Sequence, residues 1–132
     1  MAYTDPSTQP SDMALLRHWT AASFATPETL PFSFVYRGER ITGIPSSWNP
    51  TQTRHRVDAN IVDTVYEGTD PQSGLHVHVG CLSYADYPVL EWVIRLTNTG
   101  DTPTPLIEDL RALDAPFNAA SPILWHCNGD FY

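Results

Sequence analysis

Two histidines in the middle of the chain are spaced for joint chemistry. His76 and His78 are two positions apart, so on a strand both side chains project to the same face. With His55 or His126 they could form part of a zinc site, because imidazole is a common zinc ligand. Zinc sites usually have three or four protein ligands, and these ligands are held by further hydrogen bonds. The spacing alone therefore favours a solvated strand face, and no metal site is expected.

The carboxylates do not form an evident acid–base pair. Glu108 and Asp109 are adjacent, so on a strand they face opposite sides of the sheet. Glycoside hydrolysis needs two carboxylates at a controlled separation across the sugar. Other combinations would need a fold that the sequence does not dictate: Asp58 with Asp63, and Asp114 with Asp130. G-x-S-x-G, P-loop and G-x-G-x-x-G motifs are also missing, so no catalytic residue and no cofactor are predicted.

Two loops carry groups that suit a neutral sugar. Trp48 lies between prolines in IPSSWNP, where its ring could either plug the edge of the core or present an exposed stacking face. The core plug is the favoured interpretation. His126 and Asp130 flank a glycine turn in WHCNGD, which could donate to and accept from sugar hydroxyls or simply end a strand. Trp48, His126 and Asp130 are therefore the candidate substrate-binding residues.

Composition excludes some partners. The formal charge is −8, and all seven cationic residues are arginines. Nucleic acids and anionic membranes both require cations for their phosphates, so neither is an expected partner. A neutral ligand such as a carbohydrate is compatible with this charge.

The N-terminus and the cysteines indicate the compartment. A basic segment followed by an apolar one is missing from MAYTDPSTQPSD, so no signal peptide is expected and the predicted location is cytoplasmic. No apolar run approaches the roughly 20 residues that span a bilayer. Cys81 and Cys127 could pair, but free buried thiols are favoured.

The elements that must position these residues are mostly strands. A length of 132 residues predicts one domain, with a loose N-terminus and a short helix in residues 1–29 and a β-sandwich module in residues 30–132. The helix is expected over Met13–Phe24, where Ser11-Asp12 can cap it. The predicted strands cover residues 32–36, 40–43, 54–67, 75–84, 90–97, 106–113 and 123–127. The first two are predicted to form a hairpin with Gly38 at its turn, and Asp70–Gly74 is predicted to be a turn.

The best-defined segment is Pro88–Leu113. Leu90, Trp92, Ile94 and Leu96 alternate with more polar residues, which is typical of a half-buried strand. Asn98–Asp101 supplies a turn, and Leu106–Leu113 is predicted to return beside the first strand as a hairpin. Alternation on residues 75–81 likewise puts Leu75, Val77, Val79 and Cys81 on one face. In the strand predicted over residues 54–67, alternation puts Val57, Ala59, Ile61 and Val65 on one face. The fold class predicted is all-β, an antiparallel β-sandwich with a short N-terminal helix.

Several motifs together resemble a known family. They are LPFSFVYRGE, the tryptophan of IPSSWNP, PVLEWVIRLTNTGDTPTPLIEDLRALD and LWHCNGDFY. In this order they are similar to the N-terminal β domain of α-galactosidase-like proteins, the melibiase-type glycoside hydrolases, over about residues 30–132.

The resemblance implies a supersandwich that precedes a (β/α)₈ barrel, where the barrel carries both catalytic carboxylates of a retaining hydrolase. Because those motifs are missing here, the chain is expected to be a non-catalytic and incomplete N-terminal module. It would line the sugar pocket through Trp48, His126 and Asp130, bind the missing barrel and self-associate when isolated. A stand-alone carbohydrate-binding module and a structural module without a ligand remain alternatives.

Overall fold

The computed structural model describes residues 10–117 and Ile123, and within them it contains one α-helix and seven strands. The elements are α1 (Pro10–Ser23), β1 (Ser33–Tyr36), β2 (Glu39–Thr42), β3 (Thr51–Arg56), β4 (Ile61–Thr69), β5 (Leu75–Tyr84), β6 (Leu90–Asn98) and β7 (Ile107–Arg111). All strand pairs are antiparallel. The prediction of an all-β sandwich with a short N-terminal helix is confirmed.

The larger sheet has the order β3-β4-β5-β6. The predicted face of β5 is confirmed, because Leu75, Val77, Val79 and Cys81 are all buried. The predicted face of β6 is also confirmed: Leu90, Trp92, Ile94 and Leu96 pack against the core, although they are half-buried since β6 is an edge strand. Burial raises the pKa of the free Cys81 thiol to about 11, and the nearby Asp63 and Glu91 add to this effect.

The smaller sheet has the order β2-β1-β7, and its β1–β2 hairpin was expected. Arg37 and Gly38 form its turn with φ of 55° and 79°. Positive φ at both central residues gives a backbone twist that matches the twist of the two strands. The turn aligns β1 so that Phe34 and Tyr36 point into the core.

The core lies between the two sheets and is closed at one side by α1. Its buried residues are Phe24, Leu30, Phe32, Phe34, Tyr36, Ile44, Trp48, Tyr66, Leu75, Val77, Val79 and Cys81. The Tyr66 hydroxyl donates to the Phe24 carbonyl at 2.8 Å, which fixes the end of α1 to β4. Burial raises the pKa of Tyr66 to about 12, so this hydroxyl remains a donor at neutral pH.

The prediction of one strand over residues 54–67 is wrong. Residues 57–60 form a turn between β3 and β4. The Asp58 carboxylate accepts hydrogen bonds from the backbone N–H groups of Asn60 and Ile61 at 2.7 and 2.8 Å. An aspartate that bonds to backbone two and three residues later offers the chain a turn in place of a ladder.

The predicted inner face of that strand is also wrong. Ile61 and Val65 lie on the outer face, because their neighbours Tyr66 and Gly68 are the buried residues of β4. The Ile44 side chain fills the position where a side chain at Gly68 would lie, since a Cβ at Gly68 would be 2.4 Å from Ile44 Cγ2. The buried residues of β4 are therefore an aromatic residue and a glycine. A pattern of alternating aliphatic residues does not identify this face as the one that points into the core.

The predicted Pro88–Leu113 hairpin is wrong in its pairing. β6 pairs with β5, whereas β7 crosses to the other sheet and pairs with β1. The Asn98–Asp101 turn exists, but it docks on the turn before β5, where the Thr99 N–H donates to the Gly74 carbonyl at 2.9 Å. Pro103 and Pro105 then favour an extended connection and remove two ladder donors, which suits a crossover better than a hairpin.

Two predictions cannot be compared with this structure. The strand over residues 123–127 lies outside the described residues except for Ile123, and so does most of the segment that would complete the 30–132 module. Within the described part of the chain, no helix combines the length and apolar character needed to cross a bilayer.

Candidate functional site

Trp48 sits at the edge of the core and not on an open loop. It ends a short 3₁₀ turn, Ser46–Trp48, that is closed by Asn49 in the left-handed conformation. The Trp48 side chain is only 6% exposed. Its ring lies 5.7 Å from Tyr36 in an edge-on arrangement and 6.4 Å from Phe34. The core-plug interpretation is confirmed, and the ring offers no free face for stacking on a sugar.

The polar groups beside Trp48 are engaged with one another around Asp70. This buried carboxylate accepts hydrogen bonds from the Tyr36 hydroxyl at 2.8 Å, the Ser73 hydroxyl at 2.8 Å and the Gln72 N–H at 3.0 Å. Arg37 adds an ion pair at 3.0 Å. Burial raises the pKa of Asp70, but the three hydrogen bonds and the Arg37 charge outweigh it, and the net pKa is lowered.

This arrangement fixes a turn and leaves little capacity for a ligand. Asp70 joins the β4–β5 turn to the β1–β2 turn, because Tyr36 and Arg37 belong to the second of these. The shallow depression next to it has a volume of about 230 Å³. A pocket for a small molecule commonly has about 300–1,000 Å³. The Asp70 group is therefore a structural connection between the two sheets.

The other two predicted sugar-binding residues cannot be placed. His126 and Asp130 lie outside the described residues, so their part in sugar binding stays a prediction, but the buried Trp48 cannot supply the stacking face proposed beside them. The pairing of Asp114 with Asp130 also stays a prediction. Asp114 itself accepts a hydrogen bond from the buried Ser33 hydroxyl, and its backbone N–H donates to the Pro31 carbonyl at 2.8 Å.

Asp109, considered above as an acid–base candidate, forms ion pairs within the smaller sheet. Its carboxylate pairs with Arg40 and with Arg111, the latter at 3.0 Å. Hydrogen bonds from Arg111 and then Arg40 lower the pKa of Asp109, so it stays ionised. An ionised carboxylate between two arginines is poorly suited to donate a proton.

The two strand histidines meet a third group that the sequence analysis did not include. His78 Nδ1 lies 2.9 Å from Glu67 Oε1, and His76 Nε2 lies 3.6 Å from the same oxygen. We call Glu67, His76 and His78 the histidine–glutamate cluster. A hydrogen bond from His78 is the largest cause that lowers the pKa of Glu67. His55, the alternative partner, lies on β3 opposite Asp63 and is not part of this cluster.

The register of one hairpin creates the cluster. Glu67 lies directly opposite His78, and Thr69 directly opposite His76, on the outer face of the larger sheet. The turn between them holds this register: the Asp70 N–H donates to the Leu75 carbonyl, and Gly74 adopts a φ of 77°. The turn was evident in the sequence, so counting back from it would have identified Glu67.

An apolar groove forms where α1 meets the edge of the larger sheet. Its walls include Leu15 and Trp19 from α1, Val89 and Trp92 at β6, and Leu113 and Phe117 after β7. We call these six residues the helix groove. Leu15 is 68% exposed and Phe117 58% exposed. The Phe117 ring stacks on Trp19 at 5.5 Å, while the Trp92 indole N–H donates to the Ala112 carbonyl at 2.9 Å.

Comparisons with family models, curated proteins and solved structures found no match to this chain.

Proposed function

We propose that this chain is a non-catalytic β-sandwich module of an α-galactosidase-like glycoside hydrolase, and that it assembles with another domain of that enzyme through the helix groove. The motifs described above support the enzyme family. The helix groove supports the assembly role, and it is the observation that carries the proposal.

Four of the exposed large apolar residues in the described part of the chain lie together in one groove. Exposed aliphatic and aromatic residues are normal on protein surfaces when they are scattered singly, whereas a contiguous patch marks an interaction surface. In the helix groove, Leu15, Val89, Leu113 and Phe117 are each at least 47% exposed and share one concavity with the half-buried Trp19 and Trp92. Burying these side chains against a partner would supply the apolar core of an interface.

The occupant proposed for the helix groove in the enzyme is an adjacent domain of the same protein. In the isolated chain the same groove is expected to recruit a second copy. The net charge of −8 opposes that association, since two copies repel each other. Added salt should therefore strengthen self-association, because it screens the repulsion and leaves the apolar contact intact.

Sedimentation velocity over a range of protein and salt concentrations tests this role. The unaltered chain should show a sedimentation coefficient that rises with both. Leu15→Glu should shift the chain toward monomer, because it places a charge on the groove wall. Leu106→Glu is the matched control: Leu106 is 71% exposed but lies outside the helix groove, so association should be unchanged. A chain that stays monomeric at every concentration, or loses association equally in both variants, would contradict the assembly role.

Two further measurements test the rest of the proposal. The purified chain should not turn over a chromogenic α-galactoside, because the proposed module leaves both catalytic carboxylates to the barrel. Activity that persists through repurification and disappears when one carboxylate is replaced would overturn that. Binding of the purified chain to a glycan array would instead favour the stand-alone carbohydrate-binding alternative.

A further inference from the structure

The histidine–glutamate cluster brings three side chains of metal-ligating type together on one face of the larger sheet. Glu67 is on β4, and His76 and His78 are on β5. One ligand atom from each residue lies within 4.8 Å of the other two. All three residues are partly exposed, so an ion could reach them from solvent.

The two distances from the Glu67 carboxylate are close to those around a small divalent ion. Zinc lies about 2.0–2.2 Å from histidine nitrogen and carboxylate oxygen, so neighbouring ligand atoms around a tetrahedral ion are about 3.3 Å apart. The observed distances from Glu67 Oε1 are 2.9 Å to His78 Nδ1 and 3.6 Å to His76 Nε2. Small rotations of these partly exposed side chains would equalise the two distances.

A hydrogen bond already orients one of the rings. The Thr69 hydroxyl lies 2.8 Å from His76 Nδ1. If Nδ1 carries the proton, the hydroxyl accepts it, and Nε2 keeps its lone pair directed toward Glu67. Metal-bound histidines are commonly held by such a bond on the ring nitrogen that does not contact the metal.

The supporting backbone is rigid, and the cluster is open to water. β4 and β5 are the two inner strands of the four-stranded sheet, so both are paired on each side. Sites on such elements hold their ligands more accurately than sites on loops. Glu67, His76 and His78 are all partly exposed, so water can reach an ion held between them and supply its fourth ligand.

We propose that Glu67, His76 and His78 form a binding site for a divalent transition-metal ion of the zinc type, with water as the fourth ligand. Two imidazoles and one carboxylate match the nitrogen and oxygen ligands that zinc takes in sites that keep an open position. The carboxylate also contributes one negative charge against the two positive charges of the ion. This site is separate from the assembly role proposed for the helix groove.

Calorimetric titration of the tag-free chain with zinc chloride tests the site. One ion per chain should bind, and Glu67→Gln or His78→Ala should weaken the affinity by more than about tenfold, which is the lower limit for losing only a partner of a ligand. Thr69→Val should give a smaller loss, because it removes only the orienting hydrogen bond. His55→Ala is the matched control, since it removes an exposed histidine from β3 and should leave zinc affinity unchanged.

Cobalt provides a second measurement that does not depend on heat. Co²⁺ added to the unaltered chain should give the visible absorption of a tetrahedral ion, and Glu67→Gln should reduce it. Each variant is first compared with the unaltered chain by circular dichroism and urea unfolding. The site would be refuted if the folded variants bind zinc as tightly as the unaltered chain, if His55→Ala weakens binding equally, or if no zinc binds.

Discussion

Replacing Trp48 measures how much its buried ring contributes to the stability of the core. Burying a tryptophan side chain removes about 150–250 Å² of its surface from contact with water. At roughly 25 cal/mol per Å² this area corresponds to about 4–6 kcal/mol, which is an upper bound because the unfolded chain already buries part of it. The 6% exposure of Trp48 places it near full burial.

Trp48→Ala should therefore lower the free energy of unfolding by about 3–5 kcal/mol, the range for truncating large buried aromatics. That is a large share of the roughly 5–15 kcal/mol that stabilises a typical domain. Trp48→Phe should lose less, because a ring remains against Tyr36 and Phe34. The measurement is urea unfolding followed by circular dichroism, with identical slopes required for the comparison.

Tyr87→Ala is the matched control, because Tyr87 is another aromatic residue but is 60% exposed. Its replacement should change the free energy of unfolding by no more than about 0.5 kcal/mol. If Trp48→Ala costs less than about 1 kcal/mol, which is typical of surface changes, the ring does not support the core and the packing described here is wrong.

Three other predictions use the same unfolding measurement. Trp92→Ala should cost about 3 kcal/mol, at the low end for aromatic truncations because the ring is half-buried, and a value below about 1 kcal/mol would contradict the assigned strand face. Asp70→Asn should lower the free energy of unfolding at pH 7. The difference in this free energy between the two chains should shrink as the pH falls below about 4, because the folded state lowers the pKa of Asp70 and the resulting stability is lost when the carboxylate is protonated. A difference that does not depend on pH would refute this. Gly43→Ala should lower the free energy of unfolding by about 2–5 kcal/mol, because Gly43 has a φ of 61° and a Cβ there would lie 2.6 Å from two backbone oxygens. Gly38→Ala should lower it by only about 1–2 kcal/mol, because the space around Gly38 is open and only its positive φ opposes a side chain. Equal losses in the two variants would show that the close oxygens at Gly43 add no cost.

Local features of the fold could be predicted where side-chain alternation and turn chemistry agree. Both are present around β5, where alternate residues from Leu75 to Cys81 are buried and the Asp70–Gly74 turn precedes them. They are also present in the β1–β2 hairpin, where Arg37 and Gly38 form the turn. In these segments the information that fixes the structure lies within a few residues of each position.

Long-range pairing could not be predicted from the same information. β7 has five residues that are mostly exposed, and such a strand carries no pattern that distinguishes β6 from β1 as its partner. β3 is exposed at every position, so alternation could not separate it from β4. The inner face of β4 depends on Gly68, whose role is set by Ile44 from another part of the chain.

The candidate sites also differ in whether local or long-range contacts determine them. The position of Trp48 within a proline-flanked loop did not decide its exposure, because that depends on Tyr36 and Phe34 across the core. The histidine–glutamate cluster, in contrast, follows from the register of one local hairpin. Glu67 was within reach of sequence reasoning once its turn had been recognised.

The pairing of β7 with β1 also leads to an expectation about the order in which this chain folds. The Ser33 hydroxyl on β1 and the Asp114 carboxylate after β7, which are joined by a hydrogen bond, are 81 positions apart in sequence. Closing so long a loop costs entropy before any contact compensates for it, whereas the successive hairpins of the larger sheet close short loops. On a ribosome, β3 to β6 can pair as they emerge, and the β1–β2 hairpin must wait for its third strand. We therefore expect the larger sheet to form first and the smaller sheet to complete the sandwich last.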